Sequence, residues 1–433
     1  MKKIGLILMF FGLPGLMSVA YGQQKKEVMG YYAGWKWYDR NKLVNPLTID
    51  YSRYTTIAYA FFQPTPDGTV TCPDPWAEKN LLLGANGTSV PKPTLVSEAH
   101  RKGVKVIISV GGWTYSDVFP LIAASPAARK KLARNCSALI KKYGIDGIDI
   151  DWEYPGYKKH NGSGNDTGNF TLLLQEIRSE LNKCEQETGK KMLLTAAFGV
   201  SPERIDAIEW DKVTGLLDMI NLMSYNYSGP WDEYTGHNAP LYSSCPENSA
   251  LTIDHSVCYL TANKQVPAEK INIGLAFFGR AISTDGISGL NSHSTGKPDL
   301  IQFGSDQGAP EYYNIIAKLG LYEYHRDESA EVPYLEGKAG IHSFVTFDDS
   351  LSVARKAEFV VNRGLQGVII WEITGDYLDN GHGNGLRTPL ADAVFNVFHA
   401  SQTGFSFRPQ SVVVPSESES VVIPEQPGVG KSD

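Results

Sequence analysis

Asp146-Gly147-Ile148-Asp149-Ile150-Asp151-Trp152-Glu153-Tyr154 carries a pattern that few sheets can accommodate. Side chains alternate across a strand, so Asp149, Asp151 and Glu153 share one face while Ile148, Ile150 and Trp152 share the other. Three acids cannot pack outward against apolar helices without a large cost. In a parallel barrel they must point inward, at the C-terminal end of the strand, where barrel active sites sit.

Seven further short apolar or β-branched runs surround this one. Together with 145–150 they cover 28–32, 54–62, 104–110, 192–197, 217–223, 271–276 and 366–371. Helical periodicity fills most of the gaps, at 95–102, 127–143, 170–183, 351–363 and 389–399. Eight near-continuous apolar strands alternating with helices point to parallel strands covered on both faces. A (β/α)8 TIM barrel fits the count, with a doubly wound open sheet as the alternative. The alternation breaks after Gly279-Arg280. Residues 281–340 are rich in Gly, Ser, Tyr and His and read as a small α+β insertion in the seventh βα loop, because so long a loop without structure is uncommon. The barrel is thus expected over 23–280 and 341–400. Residues 401–433, with Pro, Ser and acidic residues, are expected to form a disordered tail.

The 433 residues carry 40 Lys and Arg against 47 Asp and Glu, a net charge of −7. That balance argues against nucleic acid as a partner, which calls for a basic patch. Hydrophobic residues at 42% and charged residues at 20% are those of a globular enzyme. Residues 1–22 have the form of a signal peptide: Lys2 and Lys3, an apolar run containing Pro14, then Ala20-Tyr21-Gly22. The mature chain is expected to start near Gln23, secreted or periplasmic, with no membrane association after cleavage. A monomer is expected. Among Cys72, Cys136, Cys184, Cys245 and Cys258, the pair Cys245 and Cys258 is the expected bridge, and no C-x-x-C pattern supports zinc.

Carboxylates two apart on one strand lie about 6–7 Å apart along the backbone. In a partly desolvated site they cannot all ionise easily, so at least one pKa must rise. Glu153, the outermost, is best placed to meet a ligand, and a protonated Glu beside an ionised Asp suits general acid catalysis near neutral pH. Such a triad could also bind Mg²⁺ or Ca²⁺. Here one strand supplies all three acids and no second cluster completes a shell, so no metal and no other cofactor is expected.

The segment 146–153 resembles the D-G-x-D-x-D-x-E signature of family 18 glycoside hydrolases, the chitinases and related endo-N-acetylglucosaminidases. Four further segments resemble the family's motifs in order. They are Ser109-Val110-Gly111-Gly112-Trp113, the stretch from Met223-Ser224-Tyr225-Asn226 to Trp231, Gly274-Leu275-Ala276-Phe277-Phe278-Gly279-Arg280, and Trp371-Glu372-Ile373-Thr374-Gly375-Asp376. The segment after Arg280 resembles the chitinase insertion domain. The resemblance implies hydrolysis of β-1,4 links in chitin or chito-oligosaccharides, retaining and substrate-assisted, through an oxazolinium ion. It implies Glu153 as acid and base, Asp151 as the group that orients the substrate acetamide, Asp149 as its proton-sharing partner, and Tyr225 as a donor to the acetamide oxygen. Trp371 would form the floor under the reacting sugar. Tyr31, Phe61, Trp113, Tyr154, Met223, Asn226, Trp231 and Arg280 would line the groove. Asn226 stands where the family usually has Asp, which implies a pH optimum moved toward acid. Ala276-Phe277-Phe278, where Pro and Tyr are commoner, implies an altered groove lining. Two other functions are compatible with the fold: an endo-β-N-acetylglucosaminidase acting on N-glycans, and a non-hydrolytic, lectin-like chitin binder. Lectin-like relatives usually lack the acid that Glu153 supplies.

Overall fold

The computed structural model describes residues 25–84, 92–243, 250–379 and 385–403. The signal-like segment 1–22, Cys245 and the tail beyond 403 lie outside the described residues. Seven parallel strands come first: β1 (Glu27–Ala33), β2 (Thr56–Pro64), β3 (Lys105–Gly111), β4 (Gly147–Asp151), β5 (Leu193–Phe198), β6 (Met219–Leu222) and β7 (Ile271–Ala276). After β7 the chain builds β8 (Arg280–Thr284), β9 (Ser294–Pro298), β10 (Tyr322–Asp327), β11 (Val332–Gly337) and β12 (Ser343–Thr346), and then β13 (Gly367–Trp371). Strands β1 to β7 pair in chain order, β13 pairs with both β7 and β1, and β1 pairs with β2. All of these pairings are parallel, so the sheet closes into an eight-stranded (β/α)8 barrel. The open-sheet alternative is excluded by the β1–β2 and β1–β13 contacts.

The two faces of each strand divide as the alternation requires. Ile148, Ile150 and Trp152 join the large core between barrel and helices, whereas Met29, Tyr31, Ala58, Ile107, Leu193, Met219 and Ile369 form a separate core inside the barrel. Burying an Ile such as Ile148 contributes about 1.5–3 kcal/mol, which fixes the register and leaves Asp149 no choice but the interior. The covering helices include α1 (Leu95–Arg101), α2 (Pro126–Tyr143), α3 (Asp166–Thr188), α4 (Ser350–Asn362) and α5 (Pro389–Thr403). Their ends follow local chemistry. Thr94 with Ser97 and Asp349 with Ser352 form capping boxes on α1 and α4, and Gly144 closes α2 in the left-handed conformation.

The inserted strands form one antiparallel sheet in the order β9-β8-β12-β11-β10. Its outer limits are Arg280 and Thr346, so the sheet runs past residue 340, because Ser343–Thr346 pairs back onto β8. At its foot Arg326 pairs with Asp349 at 3.3 Å, and Tyr324 donates to the same carboxylate at 2.7 Å. α5 continues past 400 to Thr403. Cys258 carries a free thiol, which donates to Asp254 at 3.8 Å. No helix among the described residues is long and apolar enough to cross a membrane.

Candidate active site

β4 carries Asp149 and Asp151 into the barrel interior, where both are buried. Glu153 follows two residues past the strand end, half-buried at the barrel mouth. Asp149 is ringed by uncharged donors from four other strands. Its Oδ2 accepts from the Tyr31 hydroxyl at 3.0 Å and from Ser109 at 2.7 Å. Its Oδ1 accepts from Thr195 at 2.5 Å and from the Asn221 amide at 3.4 Å. Asn272 on β7 holds Asn221 in turn, donating to its Oδ1 at 2.9 Å.

Burial pushes the Asp149 carboxyl up, and the four donors oppose it. Asp151 has no such opposition. Burial, then the charges of Glu153 and Asp149, drive it well above the carboxylate range, and its buried Oδ1 has no partner. Of these two, Asp149 is the better supported anion and Asp151 the better proton holder. Glu153 is pushed up to about 7 by burial, against hydrogen bonds from the Tyr154 side chain and the Trp113 backbone. Its own backbone is fixed on both sides. The N–H donates to Ser116 Oγ at 2.8 Å, and the carbonyl lies 2.8 Å from His160 Nδ1.

The turn after β3 meets β4 at close range. Gly112 donates its N–H to the Asp151 carbonyl at 2.8 Å. Gly111 sits at φ +116°, and a Cβ there would lie 2.2 Å from that carbonyl oxygen and 2.8 Å from the Phe119 ring. Both the conformation and the space require glycine.

Aromatic side chains gather on one side of the acids. Phe61 stacks on Trp371 at 5.4 Å and 18°, and Tyr31 tilts against Trp371 at 5.5 Å. Tyr31 is buried beneath this platform rather than open to the groove, since its hydroxyl is committed to Asp149. Trp35 completes the group, 6.0 Å from Phe61 and 6.2 Å from Trp371, and is 48% exposed. Met223 packs between the inner barrel core and a small cluster of Tyr225, Ala276 and Phe278. Tyr225 is buried edge-on to Phe278 at 5.6 Å. Burial, then the charges of Asp151, Glu153 and Asp149, keep its hydroxyl neutral as a donor beside the acids.

Asn226, the residue after Tyr225, adopts a left-handed φ of 62°, which Asn tolerates. Its Oδ1 accepts from Arg280 Nε at 2.9 Å and Nη2 at 2.7 Å. The guanidinium lies 5.4 Å from the Trp231 ring and 5.3 Å from Phe278, and burial lowers its pKa to about 10. Tyr154 packs against Tyr157 at 6.1 Å and under Arg204 at 5.2 Å. Trp113 and Trp231 are 52% and 57% exposed, with Trp113 backed by His160 at 4.3 Å. Exposed indoles of this kind offer a flat apolar face for stacking.

The arrangement can hold a proton on Glu153 near neutral pH, pair it with buried acids that can take up charge, and seat a flat-faced ligand on aromatic rings. Among the described residues no group of three or more His, Cys, Asp or Glu is placed to hold a metal ion. Sequence reading missed Trp35, Ser116, His160, Thr195, Asn221 and Asn272. The last three carried a signal, since each is a polar residue at an inward position of an otherwise apolar strand.

Residues 27–376 match Glycosyl hydrolases family 18. The chain is 31% identical over 431 residues to Chitinase A1 of Niallia circulans, covering 85% of this chain and 60% of that protein's length. It is 32% identical over 358 residues to Chitinase 1 of Aphanocladium album, covering 79% of this chain and 80% of that protein. Among solved structures, catalytic domain 2 of the Ostrinia furnacalis Group II chitinase superposes with a TM-score of 0.77 at 26% identity, covering 90% of this chain and all of that one. A mutant of the same domain has been solved in complex with (NAG)5. With the acids of β4 in place at the mouth of a closed barrel and the match running through nearly all of its strands, the chain belongs to glycosyl hydrolase family 18.

Proposed function

We propose that the protein is a chitinase that cleaves β-1,4 links between N-acetylglucosamine units, retaining and substrate-assisted, and that it is exported by its N-terminal signal-like segment. The observation that carries this reading is the proton-holding Glu153 above two buried acids of the same strand. A retaining glycosidase with two catalytic carboxyls needs them about 5–5.5 Å apart across the bond. Here the carboxyls that act on Asp151 are Glu153 and Asp149, all three from β4 and the two residues after it; we infer that the nucleophile comes from elsewhere, and the substrate's acetamide supplies one.

In this mechanism Glu153 gives its proton to the leaving glycosidic oxygen while the acetamide oxygen attacks C1. The C1–O bond to the leaving sugar breaks and an oxazolinium ring forms. The unpartnered Oδ1 of Asp151 accepts the acetamide N–H, orients it, and offsets the positive charge that develops. Tyr225 donates its hydroxyl to the acetamide oxygen. Asp149, held as an anion by its four donors, takes a share of the Asp151 proton as Asp151 turns to the acetamide. Water then attacks C1, Glu153 takes its proton, and the ring opens with the original configuration. Trp371, with Phe61 and Trp35 beside it, seats the sugar faces, and Trp113, Trp231 and Arg280 line the opposite side.

The test is release of reducing ends from insoluble chitin by the parent protein beside a Glu153→Gln control. Release by the parent alone supports the proposal. Binding without release supports a lectin-like protein, and release only from glycoprotein supports an endo-β-N-acetylglucosaminidase acting on N-glycans.

A further inference from the structure

Trp35 and Trp371 stand on two segments that are not adjacent in sequence, Gly34–Lys42 and the end of β13, which the turn Ile373–Asp376 follows. A buried ionic cluster joins them, and its third member comes from the inserted segment. Glu311 is 6% exposed, and its Oε1 lies 3.0 Å from Lys36 Nζ, the residue after Trp35. Its Oε2 has no partner and presses on the 373–376 turn: a Cβ on Gly375 would lie 2.5 Å from it. Its backbone is locked to the end of β7, where Tyr312 donates to the Phe277 carbonyl at 3.0 Å and Gly279 donates to the Pro310 carbonyl at 2.8 Å. Glu372, the residue after Trp371, is buried and accepts from the Thr374 N–H at 3.0 Å and from its hydroxyl. Arg40 ties the same two segments together by donating to the Tyr377 and Thr374 carbonyls at 2.6 and 2.7 Å.

We propose that Glu311 is a positioning residue for the sugar platform: through Lys36 and the turn after Glu372 it fixes Trp35 and Trp371 in the geometry that receives the substrate's rings. The inserted segment thereby reaches the floor of the groove through Glu311. The proposal rests on the chitinase reading. The groups that face Glu311 are Lys36, Asp39 and Arg40 on the β1 side, Glu372 on the β13 side, and Asp306 and Tyr313 in the insertion itself. Burial, then the charge of Glu372, pushes the Glu311 carboxyl up to about 8. Glu311 Oε1 accepts from Lys36 Nζ at 3.0 Å, and the Oε1 of a Gln amide can accept the same hydrogen bond.

The experiment measures KM and kcat for hexa-N-acetylchitohexaose at pH 7 in the parent, Glu311→Ala, Glu311→Gln and Lys36→Met. Glu311→Ala and Lys36→Met should raise KM on the order of tenfold with kcat within about twofold. Glu311→Gln should stay near the parent, a rescue that loss of bulk alone would not predict. A parent KM in both Glu311→Ala and Lys36→Met overturns the proposal, as does a Gln variant no better than Ala. If Glu311→Ala fails to fold, the Lys36→Met and Gln values decide. A parent that cleaves no chito-oligosaccharide would instead overturn the chitinase reading, which no KM comparison can do.

Discussion

Glu153→Gln should abolish hydrolysis and, at alkaline pH, make the protein more stable. The native carboxyl is carried from an ordinary 4.5 to about 7, with burial the first cause. Below pH 4.5 the folded and unfolded chains both hold this proton, and Glu153 contributes no pH dependence. Between 4.5 and 7 the native state keeps a proton that the unfolded chain has released, so stability falls as pH rises. At about 1.4 kcal/mol per pH unit, the full loss above pH 7 comes to about 3 kcal/mol. Gln mimics the protonated acid and never incurs that loss. It also removes the charge that helps hold Asp151 high, which acts in the same direction. Urea unfolding of the parent and the variant at pH 4, 6 and 8.5 should give equal stabilities at pH 4 and a gap widening to about 3 kcal/mol at pH 8.5. Parallel stability curves across that range would refute the claim that Glu153 holds its proton to neutrality, and the acid step would lose its physical basis.

Asn226→Asp places a carboxylate on Arg280 and adds negative charge beside the acids, so Glu153 should lose its proton later; the alkaline limb of the kcat profile should move up by as much as about one pH unit. Gly111→Ala puts a Cβ 2.2 Å from the Asp151 carbonyl, and the displaced acids should cost about 100-fold in kcat/KM on a chitotetraose substrate. Tyr225→Phe removes a neutral donor from the acid cluster and should lower kcat by about 100-fold with little change in KM, read from initial rates on the same substrate.

The barrel was legible because parallel strands buried on both faces read as continuous apolar runs, and because the acids of 149, 151 and 153 admit only an inward register. Ser109, Thr195, Asn221 and Asn272 obeyed the same rule and could have been read from it, as polar residues interrupting apolar strands on the inward side. Trp35 could not. It lies two residues past the end of β1 in a 3₁₀ segment without period, and its position depends on Phe61 and Trp371, distant in sequence. Glu311 was hidden for a similar reason, in a short antiparallel unit whose strands pair across long loops. The sheet of that unit extends past 340 to Thr346, which the sequence does not announce: Ser343–Thr346 is too short to show alternation, yet it pairs along its whole length with β8.

The donors around Asp149 explain how one strand can carry three acids and still leave Glu153 with its proton. A Lys or Arg beneath the acids would stabilise Asp149 at least as well as two hydroxyls, a phenol and an amide do. It would also pull Asp151 and Glu153 down toward ordinary carboxylate values, because an opposite charge favours every anion within its reach. Neutral donors hold one negative charge in place without cancelling it. Asp149 then remains a source of negative potential that helps drive Asp151 up, while burial, with no cation beneath it to oppose it, lets Glu153 keep its proton near neutral pH. Replacing Asn221 with a residue bearing a positive charge at the same depth should therefore lower the apparent pKa of Glu153 and narrow the active pH range from its alkaline side, even though Asn221 is buried below the cleft.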